Sequence, residues 1–540
     1  MRKGILLFAL LAALFWGARV DCALPPEFSV QKRTLSTLAQ SSSWQLAGSP
    51  LPEGWEGGTL RLLLPLRRRF AGMRDAGLVR RMRCAAEEAL ETLWDSSIEA
   101  PRKILIAPFG GETPMAGPLQ PLPAYDSALG AFFGLDAENW AKMAVQYDRS
   151  WMAAPWPASM VLVKSALYCQ SDDGLLCALD LRTGKEIWSF FPPQLCRALR
   201  LKTALALASG ELLPWLLAGG LTAEKVKGSE TPEKIFLWGS LGQGGRGLYC
   251  LDVTDPEAPL FEWAREDWPD GEACVLWGKG ESSVSRMGMV QAAPLVAYYG
   301  GNWNLIVPSG PDKAGKILVL DALTGKNLDS CDGQDAAQFS LRPCGLMDAS
   351  GSLSRLIQCD SAGGIQFFSR ESSSWSADGR VDLGGITEEP SLQFYFSPIP
   401  CATVQGLWMA FVAAAGKGAV IAAAPEAMED LWWEQAPLNA RYGAWWRFLE
   451  GFHPVMSALF YDGLLYVLGT EENQSVLKVF DLLSGRLAGS QVLDKAKALI
   501  LHGGAVKGLT LDDTSGEYNL TALSVDLPMP SSGIYYTIER

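Results

Sequence analysis

Leu176-Cys-Ala-Leu-Asp180-Leu-Arg-Thr-Gly184-Lys185 is the stretch that decides the fold. An apolar run of strand length ends in an aspartate, and Asp-x-x-Thr-Gly follows. The carboxylate can accept from the backbone of a tight turn, while the glycine supplies the positive φ such a turn needs. The theme returns as Ile317-Leu-Val-Leu-Asp321-Ala-Leu-Thr-Gly325 and as Leu477-Lys-Val-Phe-Asp481-Leu-Leu-Ser-Gly485. Leu248-Tyr-Cys-Leu-Asp252-Val-Thr-Asp-Pro256 keeps the strand and the aspartate with a different turn, and weaker copies run through Phe368, Ala424 and Asp526. Together the seven units recur every 45 to 72 residues, the period range of propeller blades with loop insertions. The expectation is an all-β chain, a β-propeller of about seven blades over residues 151–540, closed by a terminal strand at Tyr535 to Ile538.

The first copy extends to Ala178-x-Asp180-x-x-Thr183-Gly184-x-x-x-Trp188, the tryptophan-docking pattern of quinoprotein-type propellers. A flat indole at that offset can stack on a neighbouring blade, so inter-blade packing is favoured for Trp188 over a place in a ligand site. No other copy has the whole pattern.

Charge and composition remove several function classes. With 46 Lys+Arg against 59 Asp+Glu the net charge is −13, which does not suit neutralisation of a phosphate backbone, so nucleic acid is not an expected partner. His453 and His502 are the only histidines, which excludes an HExxH site and makes a His-based triad a poor fit. There is no Gly-x-Ser-x-Gly elbow and no P-loop. Gly242-x-Gly244-x-x-Gly247 matches a dinucleotide fingerprint as a string, but a strand follows it and not the helix whose N-terminus would hold a pyrophosphate.

Met1-Arg-Lys3 and the apolar run Gly4 to Ala18 read as a secretory signal over residues 1–22, too short to span a bilayer, with cleavage favoured after Cys22 and a retained anchor the lesser alternative. The mature protein is then exported, to the periplasm, outer membrane or cell surface, and carries no transmembrane span. In an oxidising compartment Cys331 with Cys344, and Cys169 with Cys177, are candidate disulfides; small buried hydrophobes are an equal reading for each. Residues 23–150 do not share the repeat and form a small mixed α/β N-terminal region. They hold Arg61, Arg67, Arg68, Arg69, Arg74, Arg80, Arg81 and Arg83, a helix expected over Asp75 to Trp94 with Leu78, Met82, Ala85, Ala89 and Leu93 on one face, a strand from Lys103 to Ala107, and a proline-rich linker from Pro114 to Pro123. The arginines are read as a solvated helix face in preference to a dock for an acidic partner or a membrane.

Ala166 to Pro192 looks like the opening blade of the PilC/PilY family of type IV pilus biogenesis proteins. Lys234-Ile-Phe-Leu-Trp-Gly-Ser-Leu-Gly-Gln-Gly-Gly-Arg-Gly-Leu-Tyr-Cys-Leu-Asp-Val-Thr-Asp-Pro256 resembles that family's strand, Gly-Gly-Arg-Gly turn and Leu-Asp-Val-Thr-Asp-Pro strand almost residue for residue. Ser354 to Phe368 is similar to a third family segment in a worn form. The resemblance implies an exported type IV pilus assembly or tip-associated factor, a non-enzymatic binding platform for pilin or minor pilin subunits, or for a host or abiotic surface in cell adhesion. It also implies a calcium loop at Asp348, Ser350 and Ser352; only Asp348 is acidic there, whereas calcium takes six to eight oxygens, so a solvated turn is favoured and no cofactor is expected. The family's von Willebrand A domain is not recognisable in residues 23–150. The alternatives are a quinone-cofactor (PQQ-type) dehydrogenase, which should repeat the docking motif in most blades, and a non-catalytic envelope scaffold propeller.

Overall fold

The computed structural model describes residues 29–30 and 45–46 and most of 61–523, leaving out chiefly 69–75, 85–89, 195–218, 268–273, 279–286, 384–392, 424–443 and 512–517. Strand makes up 62% of it and helix 5%, and the strands form eight blades where the sequence predicts about seven. The second blade is the meander Pro155–Val163, Ala166–Ser171, Leu176–Asp180 and Glu186–Phe191; the third runs Leu221–Val226, Lys234–Ser240, Gly247–Asp252 and Leu260–Asp267, with Cys274–Gly278 on its edge. The fourth to seventh blades lie within 295–332, 344–382, 393–449 and 452–492, and the eighth is Ala496–His502, Ala505–Leu511 and Tyr518–Ala522.

The additional blade comes from the N-terminal segment. Arg61–Arg68, Ala76–Cys84 and Leu90–Asp95 pair in sequence as an antiparallel sheet. The helix expected over Asp75 to Trp94 is therefore corrected to a strand pair. Its arginines are used across the sheet: Arg80 meets its register partner Asp95 at 2.7 Å and Arg83 meets Glu91 at 2.5 Å. Arg81 is buried and donates to the Leu181 carbonyl, so these side chains do not make one solvated face. Met82 shares an apolar cluster with Leu499 and Tyr518 of the eighth blade, while Val79 and Trp94 join the cluster of Leu179 and Trp188 in the second. The first blade thus stands in the ring between the eighth and the second. The expected closing strand at Tyr535 to Ile538 lies outside the described residues.

The rest of the N-terminal segment covers the outside of the second blade. Ile104–Ile106 pairs in parallel with Glu186–Phe191, and the helices Ser127–Phe133 and Ala137–Tyr147 pack over it, with Phe133 against Trp140 at 5.3 Å and against Phe191 at 5.7 Å between ring centroids. The first helix starts where Asp126 accepts from the Ala128 and Leu129 amides and stops at Gly134, φ 67°. The proline-rich segment is tied down: Gly117–Pro118 pairs with Leu260–Phe261 of the third blade and Gln120–Pro121 with Ile106 and Leu105.

The repeated turn folds as its chemistry predicts. Asp180 Oδ1 accepts from the Arg182 and Thr183 amides at 2.8 Å each and from Thr183 Oγ1 at 3.1 Å. Asp321 does the same with Leu323 and Thr324, and Asp481 with Ser484. Gly184, Gly325 and Gly485 sit at φ 73°, 72° and 64°.

Candidate functional site

Each turn glycine meets a tryptophan from the blade before it. Trp94 donates its indole N–H to the Leu181 carbonyl at 2.9 Å, Trp238 and Trp263 donate to the Ala322 carbonyl at 2.9 and 3.1 Å, and Trp445 donates to the Leu482 carbonyl at 2.6 Å. The acceptor is in every case the residue after the strand-ending aspartate. A Cβ on Gly184 would lie 2.4 Å from Trp94, on Gly325 2.8 Å from Trp263, and on Gly485 2.4 Å from Trp445, so the glycine is required by the indole lying on it as well as by its φ. Trp188, fully buried, donates to the Pro256 carbonyl at 2.7 Å, which places it between the second and third blades as packing reasons suggest. The sequence pattern shows one complete motif because Trp and Gly are written on different blades; the structure shows the docking at four junctions.

The most family-like segment is built into this scaffold. Gly242–Gly244 makes a single 3-10 turn and Gly247–Asp252 is a strand, so the Gly-x-Gly-x-x-Gly string does not open a helix. Its glycines are sites of close approach: a Cβ on Gly247 would lie 2.3 Å from the Arg265 carbonyl oxygen, and on Gly239 2.3 Å from the Tyr249 ring. Tyr249 donates to Gln170 Oε1 at 3.0 Å, and Gln170 Nε2 donates to the Gly219 and Ser240 carbonyls at 2.7 and 3.1 Å, joining the second and third blades. Asp252 caps the turn through the Thr254 amide at 3.0 Å and pairs with Lys234 at 2.7 Å. Burial pushes its carboxyl up, but the hydrogen bonds from Lys234 and Thr254 outweigh this and hold it below its ordinary range.

Of the predicted calcium loop, Asp348 and Ser350 lie outside the described residues. Ser352 is described, and its Oγ accepts from Arg370 Nη2 at 3.0 Å. Arg370 also donates to the Leu353 carbonyl at 2.9 Å and lies 4.8 Å over the Tyr299 ring, a structural set that ties the fifth blade to the fourth. Among the described residues no group of three or more His, Cys, Asp or Glu side chains is placed to hold a metal. In the same blade Asp360 accepts from the Ala362 and Gly364 amides, from Gln366 Nε2 and from Arg380 Nε at 2.7 Å, and lies below its usual range although burial opposes this.

Sequence reasoning missed one polar centre. Arg102, two residues before Ile104–Ile106, is buried against the second blade. Its Nη2 donates to Glu186 at 2.6 Å, to Ser189 Oγ at 2.7 Å and to Cys177 Sγ at 3.3 Å, and Nη1 lies 3.7 Å from Asp173. Burial pulls its pKa down, but Cys177, Glu186 and Asp173 push it well above the ordinary guanidinium range. Its partners stand 71 to 87 residues away, so no local pattern announces them. The described cysteines, Cys169, Cys177, Cys331 and Cys344 among them, are buried free thiols.

No protein-family model matches the chain. A type IV pilus biogenesis factor PilY1 homolog of Xylella fastidiosa is 29% identical over 163 residues, covering 29% of this chain and 12% of the relative. The type IV pilus biogenesis factor PilY1 of Pseudomonas aeruginosa is 27% identical over 158 residues, covering 28% of this chain and 12% of the relative. The match therefore spans 12% of the length of both relatives. Among solved structures, the Pseudomonas aeruginosa PilY1 C-terminal domain aligns over 74% of this chain and 98% of its own at 15% identity, with a TM-score of 0.46. The family-like segments and these curated relatives together support a likeness to PilY1-type type IV pilus biogenesis factors over 29% of the chain, on a propeller fold.

Proposed function

We propose that the chain is an exported, non-catalytic platform for type IV pilus assembly that presents its propeller to pilin or minor pilin subunits. The observation that carries this is the Gly242 to Pro256 segment. It is the most family-like stretch, and it joins the second and third blades through Tyr249 on Gln170 and the Pro256 carbonyl on Trp188. Fold by itself would not support the assignment, because propellers host many functions. The platform works through shape and rigidity. The indole docking holds neighbouring blades in fixed register, so a partner meets a preorganised surface and loses less entropy on binding. Among the described residues no helix is long and apolar enough to cross a membrane. The proposal includes no calcium requirement at Asp348, Ser350 and Ser352, where only Asp348 is acidic.

The test is capture of purified pilin and minor pilin subunits by the immobilised full-length chain, followed by interferometry. Saturable binding of at least one subunit supports the platform. Failure of every subunit to bind, with turnover of alcohols or sugars in the presence of a quinone cofactor, would favour the dehydrogenase.

A further inference from the structure

Two cysteines face each other inside the second blade. Cys169, in Ala166–Ser171, and Cys177, in Leu176–Asp180, are direct partners in the antiparallel register. Directly opposed residues of adjacent strands project from the same face of the sheet. Their Cα atoms stand about 4.5–5.5 Å apart in such pairs, inside the roughly 4.4–6.8 Å that a disulfide spans. Both side chains are fully buried, and a hydrogen bond between the two thiols raises the pKa of Cys169 and lowers that of Cys177. The other candidate pair lacks this arrangement. Cys331 closes the fourth blade and Cys344 opens the fifth, in separate apolar clusters.

We propose that Cys169 and Cys177 form a cross-strand disulfide when the chain folds in an oxidising compartment. The surroundings accept the bond without loss. Cys177 Sγ takes hydrogen bonds from Arg102 Nη2 and Ser189 Oγ at 3.3 Å each. When its thiol is consumed, Arg102 keeps Glu186 at 2.6 Å, Ser189 at 2.7 Å and Asp173 at 3.7 Å, so no buried charge is orphaned. The sulfurs are sealed once the blade has packed, which assigns the exchange to folding. One cysteine thiolate attacks a sulfur of a small-molecule disulfide and expels one thiolate. The second cysteine gives its proton to solvent and displaces the remaining thiol from the mixed disulfide. The two cysteines lose two electrons, and the external disulfide is reduced to two thiols.

The need for an oxidising compartment rests on the exported reading, but the chemistry is tested apart from any pilus phenotype. The full-length chain is refolded from denaturant in buffers of oxidised and reduced glutathione, alkylated in denaturant and mapped by mass spectrometry. Oxidising buffer should remove two alkylatable thiols and yield one peptide spanning Cys169 and Cys177 that is 2 Da lighter than its dithiol form. Cys169→Ser should leave Cys177 alkylatable under the same conditions. Native chain with both thiols alkylated in oxidising buffer, or either cysteine linked to a third, overturns the proposal, and the wild-type chain decides this even if the variant does not fold.

Discussion

Trp188→Ala tests whether indole docking holds the blades together. Trp188 is fully buried, donates to the Pro256 carbonyl of the third blade at 2.7 Å and packs against Tyr168 at 5.8 Å between centroids. Truncating a buried tryptophan costs about 3–5 kcal/mol through lost transfer energy and the cavity left behind. The broken N–H bond is included in that range, since its net worth is about 1 kcal/mol. Unfolding entropy of about 2.1 cal/mol/K per residue over the roughly 360 described residues gives about 0.75 kcal/mol/K, so the midpoint should fall by about 4–7 °C. Differential scanning calorimetry on the purified chain reads this. Leu487→Ala, on a side chain 48% exposed, is the control and should move the midpoint by less than about 1 °C. A Trp188→Ala midpoint within 1 °C of wild type, by the same measure, would refute docking as a stabilising element.

Gly485→Ala should lose about 1–2 kcal/mol to its left-handed backbone and about 1–3 kcal/mol more to collision with Trp445. Gly300→Ala, at φ 60° with open space around it, should pay the backbone cost alone, so equal losses in urea unfolding would remove the stacking role. Burial pushes Asp360 up, but Arg380, Gln366 and the Gly364 amide outweigh it and hold the folded carboxyl below 3.8. The unfolded chain then takes up the proton first, so this contribution is complete above about pH 5 and is lost as pH falls through 3.8 and below. Asp360→Asn should lower stability at neutral pH, and its deficit against wild type should shrink towards about pH 2.5; a constant deficit contradicts the account. Calcium titration by calorimetry should give no saturable binding below about 1 mM, and tight binding abolished in Asp348→Ala would restore the calcium loop.

The parts of the fold written within one blade were legible in the sequence. Asp180, Asp321 and Asp481 mark strand ends because turn chemistry is local, and the aspartate and glycine stand a few residues apart. The first blade was not legible. Arg81 is buried where alternation calls for an apolar residue, and Leu78, Met82 and Leu93 happen to fit a helical period although Leu93 is exposed. The signal lay in the opposite charges: Arg80 with Asp95 and Arg83 with Glu91 are placed almost symmetrically about residues 87–88, as cross-strand pairs of a hairpin are. The docking tryptophans and Arg102 were hidden for a different reason. Their partners are on other elements up to about ninety residues away, a relation that only the ring of blades creates.

Deletion of the gene in its own host, with complementation by the wild-type chain, tests the central claim most directly. Sheared surface pili, measured by immunoblot and electron microscopy, should fall sharply in the deletion strain and return on complementation, with Trp188→Ala restoring less than wild type. Full piliation in the deletion strain would contradict the account.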